Sequence, residues 1–317
     1  MRYFKSFVGA ALILAIAGTA GAEGLMWGTG SPDWQYAASG PSPVVFLFDT
    51  STGSILKTLS FESSDWMWTS GVADNGEYLY VSHNIYDTSA SLNTHDFAVA
   101  KVDRSTGQVL SDTRISGYLG QTYSQINALD FHDGKLYAVE NATSGSTLRG
   151  YALEVGLNAS GDVVSATQGA YVGPYPDCGL DYHGGTWYAT SWGYAPDGKE
   201  GSLVYTSPDI MSTAFTQIGT GNSGVSGIGM IDGLEFDAAG NLFAVSWYGY
   251  NYSATGVYGI DTGAWTASQL YDLSSQLPDT ITQLNGLSDV VPEPLTMLGV
   301  FLSVSALTGY IRRRRMA

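Results

Sequence analysis

Three acidic side chains recur at one place in a repeated motif: Leu129-Asp130-Phe131, Leu180-Asp181-Tyr182 and Leu234-Glu235-Phe236. A repeat that sets them round one axis brings hard oxygen donors together, with the amides of Asn127 and Asn285 just before the aligned apolar residues. Ca²⁺ takes about six to eight such oxygens, so Asp130, Asp181 and Glu235 are the candidate metal ligands and Ca²⁺ the candidate cofactor. The competing use of these side chains is structural, each carboxylate accepting hydrogen bonds from its own turn.

Aromatic residues supply a second chemistry. The chain has 21 Tyr and 8 Trp, and Trp192-Gly193-Tyr194 and Trp247-Tyr248-Gly249-Tyr250 follow equivalent segments of neighbouring repeats. Trp192, Tyr194, Trp247 and Tyr250 are therefore candidate ligand-binding residues on one face, where flat rings beside amides suit sugar rings. Aromatic side chains also fill the space between packed sheets, which is their other reading. Of His83, His95, His132 and His183, the last two fall in turns aligned with Asp237 and read as turn residues. No G-x-S-x-G elbow, H-E-x-x-H or Gly-rich phosphate loop occurs, and no catalytic residue is assigned. Cys178 is the single cysteine, so no intramolecular disulfide forms, and its setting reads as a buried strand.

These side chains are carried on a repeat of about 50 residues. Its leading apolar residues are Val72, Leu129, Leu180, Leu234 and Leu287. An interleaved D-x-x-T-G turn closes Phe46-Leu47-Phe48-Asp49 and Val99-Ala100-Lys101-Val102-Asp103. Short apolar and aromatic runs are divided by Gly, Asn, Asp and Ser, with no sustained 3.6-residue period, which predicts strands. One four-stranded unit cannot bury both its faces, and stacking such units radially gives an all-β β-propeller. Five four-stranded blades is the count, with six or seven blades or a β-sandwich as alternatives. The fifth unit lacks a strand, and Gly24-Leu25-Met26-Trp27-Gly28 stands alone to complete it. The Leu-Asp-Phe and Leu-Glu-Phe motifs resemble blades of NHL-type and gluconolactonase-like propellers, which implies fold more than activity.

The two ends read as address signals. Residues 1–22 have a basic start at Arg2 and Lys5, an apolar stretch and Ala20-Gly21-Ala22, the parts of a signal peptide cut by signal peptidase. Residues 23–290 form the extracytoplasmic propeller domain. In residues 291–317, Pro292-Glu293-Pro294 precedes an apolar run and Arg312-Arg313-Arg314-Arg315. The run is long enough for a short transmembrane helix, and the arginines hold its end in the cytoplasm. This tail resembles the PEP-CTERM sorting signal. The resemblance implies exosortase as processing partner and a Gram-negative host making exopolysaccharide. The protein would be held in the inner membrane before processing, then reach the cell surface or matrix.

The formal charge is −16, and six of the 13 basic residues lie in the two ends, so the body is more acidic still. Such a body repels phosphate backbones, which excludes nucleic acid as a partner. The expectation is a non-catalytic binding or matrix module with polysaccharide as partner. The alternative is a propeller enzyme of the lactonase, lyase or glycosidase type.

Overall fold

Tight turns cut this chain into short strands. Asp49 Oδ1 accepts the Ser51 and Thr52 N–H groups at 2.7 and 3.2 Å, and Asp103 Oδ1 those of Ser105 and Thr106 at 2.9 and 2.7 Å. Gly53 and Gly107 then take positive φ of 70° and 79°, a conformation that costs glycine little. Hydrogen bonds from Ser105 and Thr106 push the Asp103 carboxyl down to about 2.

The computed structural model describes residues 24–32, 42–61, 66–85, 96–115, 124–144, 147–174, 176–194, 200–218, 224–248 and 254–291. The first sheet holds β4 (Trp66–Asp74), β5 (Tyr78–Ile85), β6 (Asp96–Asp103) and β7 (Val109–Arg114). The second holds β8 (Ser124–His132), β9 (Lys135–Ser144), β10 (Thr147–Leu157) and β11 (Val163–Pro174). The third is β12 (Pro176–His183), β13 (Thr186–Tyr194), β14 (Glu200–Ser207) and β15 (Thr216–Gln217). The fourth is β16 (Met230–Phe236), β17 (Leu242–Tyr248), β18 (Gly256–Asp261) and β19 (Thr266–Asp272). In the fifth, the C-terminal strand β20 (Gln283–Asp289) pairs with the N-terminal β1 (Leu25–Ser31), followed by β2 (Val44–Asp49) and β3 (Ile55–Ser60). The isolated first segment thus completes the last blade, as the repeat predicts. The chain is an all-β propeller of five four-stranded blades. The signal peptide and the sorting tail, with Pro292, Glu293, Pro294 and Arg312 to Arg315, lie outside the described residues. Among those described, no helix is long and apolar enough to cross a membrane.

Burial falls from the axis outward. The innermost β16 is buried from its second residue on, while the outermost β7 alternates half-buried and exposed side chains. Apolar side chains form one core at each junction between blades. Val72 packs with Trp27, Val45 and Leu59 of the fifth sheet, and Leu129 with Phe97 and Val99 of the first. Leu180, Leu234 and Leu287 likewise face the preceding sheet. The repeated apolar residue is therefore the wedge that each inner strand drives into the blade before it.

The residue preceding that wedge is Gly71, Ala128, Gly179, Gly233 or Gly286. A Cβ on Gly71 would lie 2.6 Å from the Leu129 nitrogen, and one on Gly286 2.6 Å from the Ser70 carbonyl oxygen. On Gly233 it would come within 2.8 Å of the Gly286 and Leu287 backbone. At these three glycines neighbouring inner strands approach so closely that even a methyl group has no room.

Gly233→Ala should therefore lower unfolding stability by about 1–3 kcal/mol, the usual effect of overpacking, measured by urea denaturation. An unchanged midpoint would show that the inner strands can spread.

Candidate functional site

The residue following each wedge faces the next blade, and this places the acidic side chains. Asp181 Oδ2 accepts the Phe236 N–H at 2.7 Å. Asp130 accepts the N–H of Tyr182, and Glu235 that of Asp289. Ser288 Oγ does the same for the Asp74 N–H at 3.1 Å. The fifth equivalent position is Ala73, which has no acceptor to offer. The carboxylates thus staple one inner strand to the next, where the sequence suggested bonds to their own turns. Asp130 and Asp181 also accept from the residue that follows each of them.

At this end of the axis a mouth of about 210 Å³ opens among Asp130, Asp181, Glu235 and Asp289. Rings from successive blades wall it. His132 lies 3.7 Å from Tyr182, His183 stacks on Phe236 at 4.3 Å and 16°, and Phe131 lies parallel to Tyr80 at 6.2 Å. His132 and His183 end inner strands and are more than turn residues: each packs on an aromatic ring of the following sheet. Among the described residues, no group of three His, Cys, Asp or Glu side chains is placed to hold a metal ion.

Burial dominates the electrostatics of the mouth. Desolvation raises the Asp181 carboxyl to about 7 against its two backbone hydrogen bonds, with Asp289 adding repulsion. Asp130 and Glu235 are pushed well above the carboxylate range, first by burial and then by Asp181. Asp130 Oδ2 is buried with no hydrogen-bond partner. Asp289 is surface-exposed at the rim, and its crowded side raises its carboxyl while Arg104 opposes the shift. Asp74, beside Asp289, is raised to about 6 by burial, although Arg104 pairs with it at 3.2 Å and Trp27 Nε1 donates to it at 3.0 Å. A mouth open to solvent on one side, whose buried acids are raised toward the neutral form and Asp181 to about 7, can both donate and accept hydrogen bonds.

The candidate sugar-stacking residues lie elsewhere. Trp192 and Tyr194 end β13, so antiparallel pairing with β12 sets them at the opposite end of the sheets from Asp181. Their rings meet at 5.3 Å, Trp192 half-buried and Tyr194 41% exposed. Trp247 stands at the same end of β17, its side chain outside the described residues, as Tyr250 is altogether. Sequence reasoning passed over Ser288 and Asp289, although Leu287-Ser288-Asp289 is the fifth copy of the motif and the alignment could have found both.

No family model matches the chain, and no curated protein matches it by sequence. Solved structures do resemble it. A Hadza microbial sialidase superposes with a TM-score of 0.53 at 9% identity, covering 80% of this chain and 60% of the sialidase. A GH43 β-1,3-galactosidase gives 0.50 at 13% identity, covering 79% of this chain and 92% of that one. A Pseudomonas aeruginosa periplasmic gluconolactonase gives 0.40 at 11% identity, over 78% and 82%. At such identities the likeness to the first two is one of fold, the radial β-propeller, and carries no activity with it.

The raised carboxyls bind protons more tightly in the folded chain than in the unfolded one. Their contribution is present at low pH and is lost as pH rises from about 4, the unfolded value, through about 7, the folded value of Asp181. Melting temperature should fall across that window. Asp181→Asn, which keeps an acceptor for the Phe236 N–H, should flatten the fall by about 1.4 kcal/mol for every tenfold in proton affinity that burial adds. A pH profile identical to that of the parent would mean Asp181 titrates normally.

Proposed function

We propose that the chain is an exported propeller that holds a single sugar residue of an extracellular polysaccharide in the acidic mouth. The observation that carries this reading is the pairing of carboxyls raised toward neutrality with ring faces at a solvent-open cavity of about 210 Å³. That volume lies below the range of about 300–1,000 Å³ that takes drug-sized ligands, and suits one small ring. A protonated carboxyl donates to one hydroxyl and accepts from another, while Tyr182 and His132 offer apolar faces. The signal peptide and PEP-CTERM-like tail support delivery to the surface layer, with exosortase as the processing enzyme.

The reading favours binding over catalysis, because the Asp130, Asp181 and Glu235 carboxylates already hold backbone N–H groups of the neighbouring blade. One observation favours a second reading, hydrolysis at the same mouth: Asp181, raised to about 7, could act as an acid beside the solvent-exposed Asp289.

Binding of the full chain to neutral monosaccharides and their oligomers, followed by calorimetry, tests both. Tyr182→Ala and Asp289→Asn should each weaken binding about tenfold, the value of one good contact. Affinity should fall as pH rises from 6 to 8 and the acids lose their donors. Weakening by Trp192→Ala alone would move the site to the opposite end of the propeller. Release of sugar from aryl glycosides, abolished by Asp181→Asn, would establish the hydrolytic reading instead.

A further inference from the structure

All five inner strands break register at one level, two positions before the wedge. Pairing jumps from Thr69 to Val72 in β4, from Ile126 to Ala128 in β8, and from Pro176 to Leu180 in β12. It jumps from Ile231 to Gly233 in β16 and from Leu284 to Gly286 in β20. The breaks leave one residue out of the ladder in β8, β16 and β20, two in β4 and three in β12, and a bulge of this kind re-aims the side chain it releases. The equivalent residues are Ser70, Asn127, Cys178, Asp232 and Asn285, polar or thiol in every copy although they lie at the centre of the molecule. Ser70, Asn127, Asp232 and Asn285 are all less than 5% exposed.

Two of these side chains have an oxygen to spare. Asn285 Nδ2 donates to Ser31 Oγ at 2.8 Å and to the Thr69 carbonyl at 2.6 Å, which uses both its donors and fixes the amide. Its Oδ1 is buried with no partner, and so is Ser70 Oγ on the adjoining strand. A buried acceptor left without a donor costs about 1–3 kcal/mol, and two such oxygens on adjoining inner strands, Ser70 Oγ and Asn285 Oδ1, imply something that satisfies them. The backbone around the bulges is already served by the second strands: Ser82 Oγ accepts the Gly71 N–H at 2.7 Å and Thr190 Oγ1 the Gly179 N–H at 3.0 Å. The spare oxygens are therefore not awaiting a backbone group.

We propose that this ring of bulges is an axial cation site that takes one Ca²⁺, through the oxygens of Ser70, Asn127, Asp232 and Asn285 with water completing the shell. The donors are hard oxygens, and Asp232 supplies one formal negative charge, the mixture of carboxylate, amide and water that Ca²⁺ accepts. The site is separate from the acidic mouth. The ring of Gly71, Ala128, Gly179, Gly233 and Gly286 and then the wedge residues come between the bulges and Asp130, Asp181 and Glu235. Bound there, the ion would tie the innermost strands together at the level where their ladders are broken.

The test is calorimetric titration of Ca²⁺ into the EDTA-treated full chain, with melting temperature as a second readout. One ion per chain should bind, with a rise in melting temperature that Mg²⁺ at equal concentration does not match. Asp232→Asn and Ser70→Ala, small changes that retain the fold, should each weaken Ca²⁺ at least tenfold. Absence of binding in the parent chain would overturn the site and leave water as the occupant of the ring. Unchanged affinity in both variants, with loss in Asp181→Asn, would also overturn it by assigning the ion to the mouth.

Discussion

Everything in this molecule depends on how closely five inner strands can be brought round one axis. Each blade presents a wedge to the blade before it and an acceptor to the blade after it, from adjacent residues of one strand. Strand alternation makes this possible, since neighbouring side chains point to opposite faces. Leu180 enters the core of the second sheet while Asp181 takes the Phe236 N–H of the fourth. The glycine before the wedge sets the distance at which both contacts close. Pairing of β1 with β20 then joins the chain ends in one sheet, and that sheet carries Ser288, which staples to Asp74, and Gly286, which abuts Ser70.

The same closeness makes the axis electrostatically costly. Carboxylates gathered round the axis lose water and repel one another, and the result is carboxyls raised toward the neutral form, Asp181 to about 7. Backbone N–H donors offset part of the desolvation, as at Asp181, and Arg104 offsets more at Asp74 and Asp289. An acid that is a structural staple becomes, through the physics of its burial, a proton donor facing a small cavity. Structure and potential ligand chemistry share one set of atoms at this end.

The opposite end is of another character. There the second strands carry aromatic side chains, Trp192 against Tyr194, and between the two ends the ladders of the inner strands are broken by bulges. A propeller separates its two ends by the length of a strand, so distinct chemistries can sit on one axis without interfering. Likeness to a sialidase and a galactosidase adds the architecture and leaves chemistry to the particular side chains.

While the choice of five blades over six or seven came from the sheets themselves, the sequence by itself determined an all-β repeat of about 50 residues, the turns at Asp49 and Asp103 and the joining of the first segment to the last blade. These are local or periodic properties: a strand shows its alternation, a turn its Asp and Gly, and a missing strand its gap in a repeat. The alignment also put Asp130, Asp181 and Glu235 at equivalent positions. Only the tertiary structure decided what they do there, because their hydrogen-bond donors belong to the next blade, about 50 residues away along the chain. Their protonation depends likewise on burial and on one another, which no linear spacing encodes. The glycines before the wedges and the polar residues at the bulges were visible as letters, yet a close approach and a register shift exist only between strands. Placing the aromatic pairs and the acidic cluster at opposite ends required knowing which way each strand runs across its sheet.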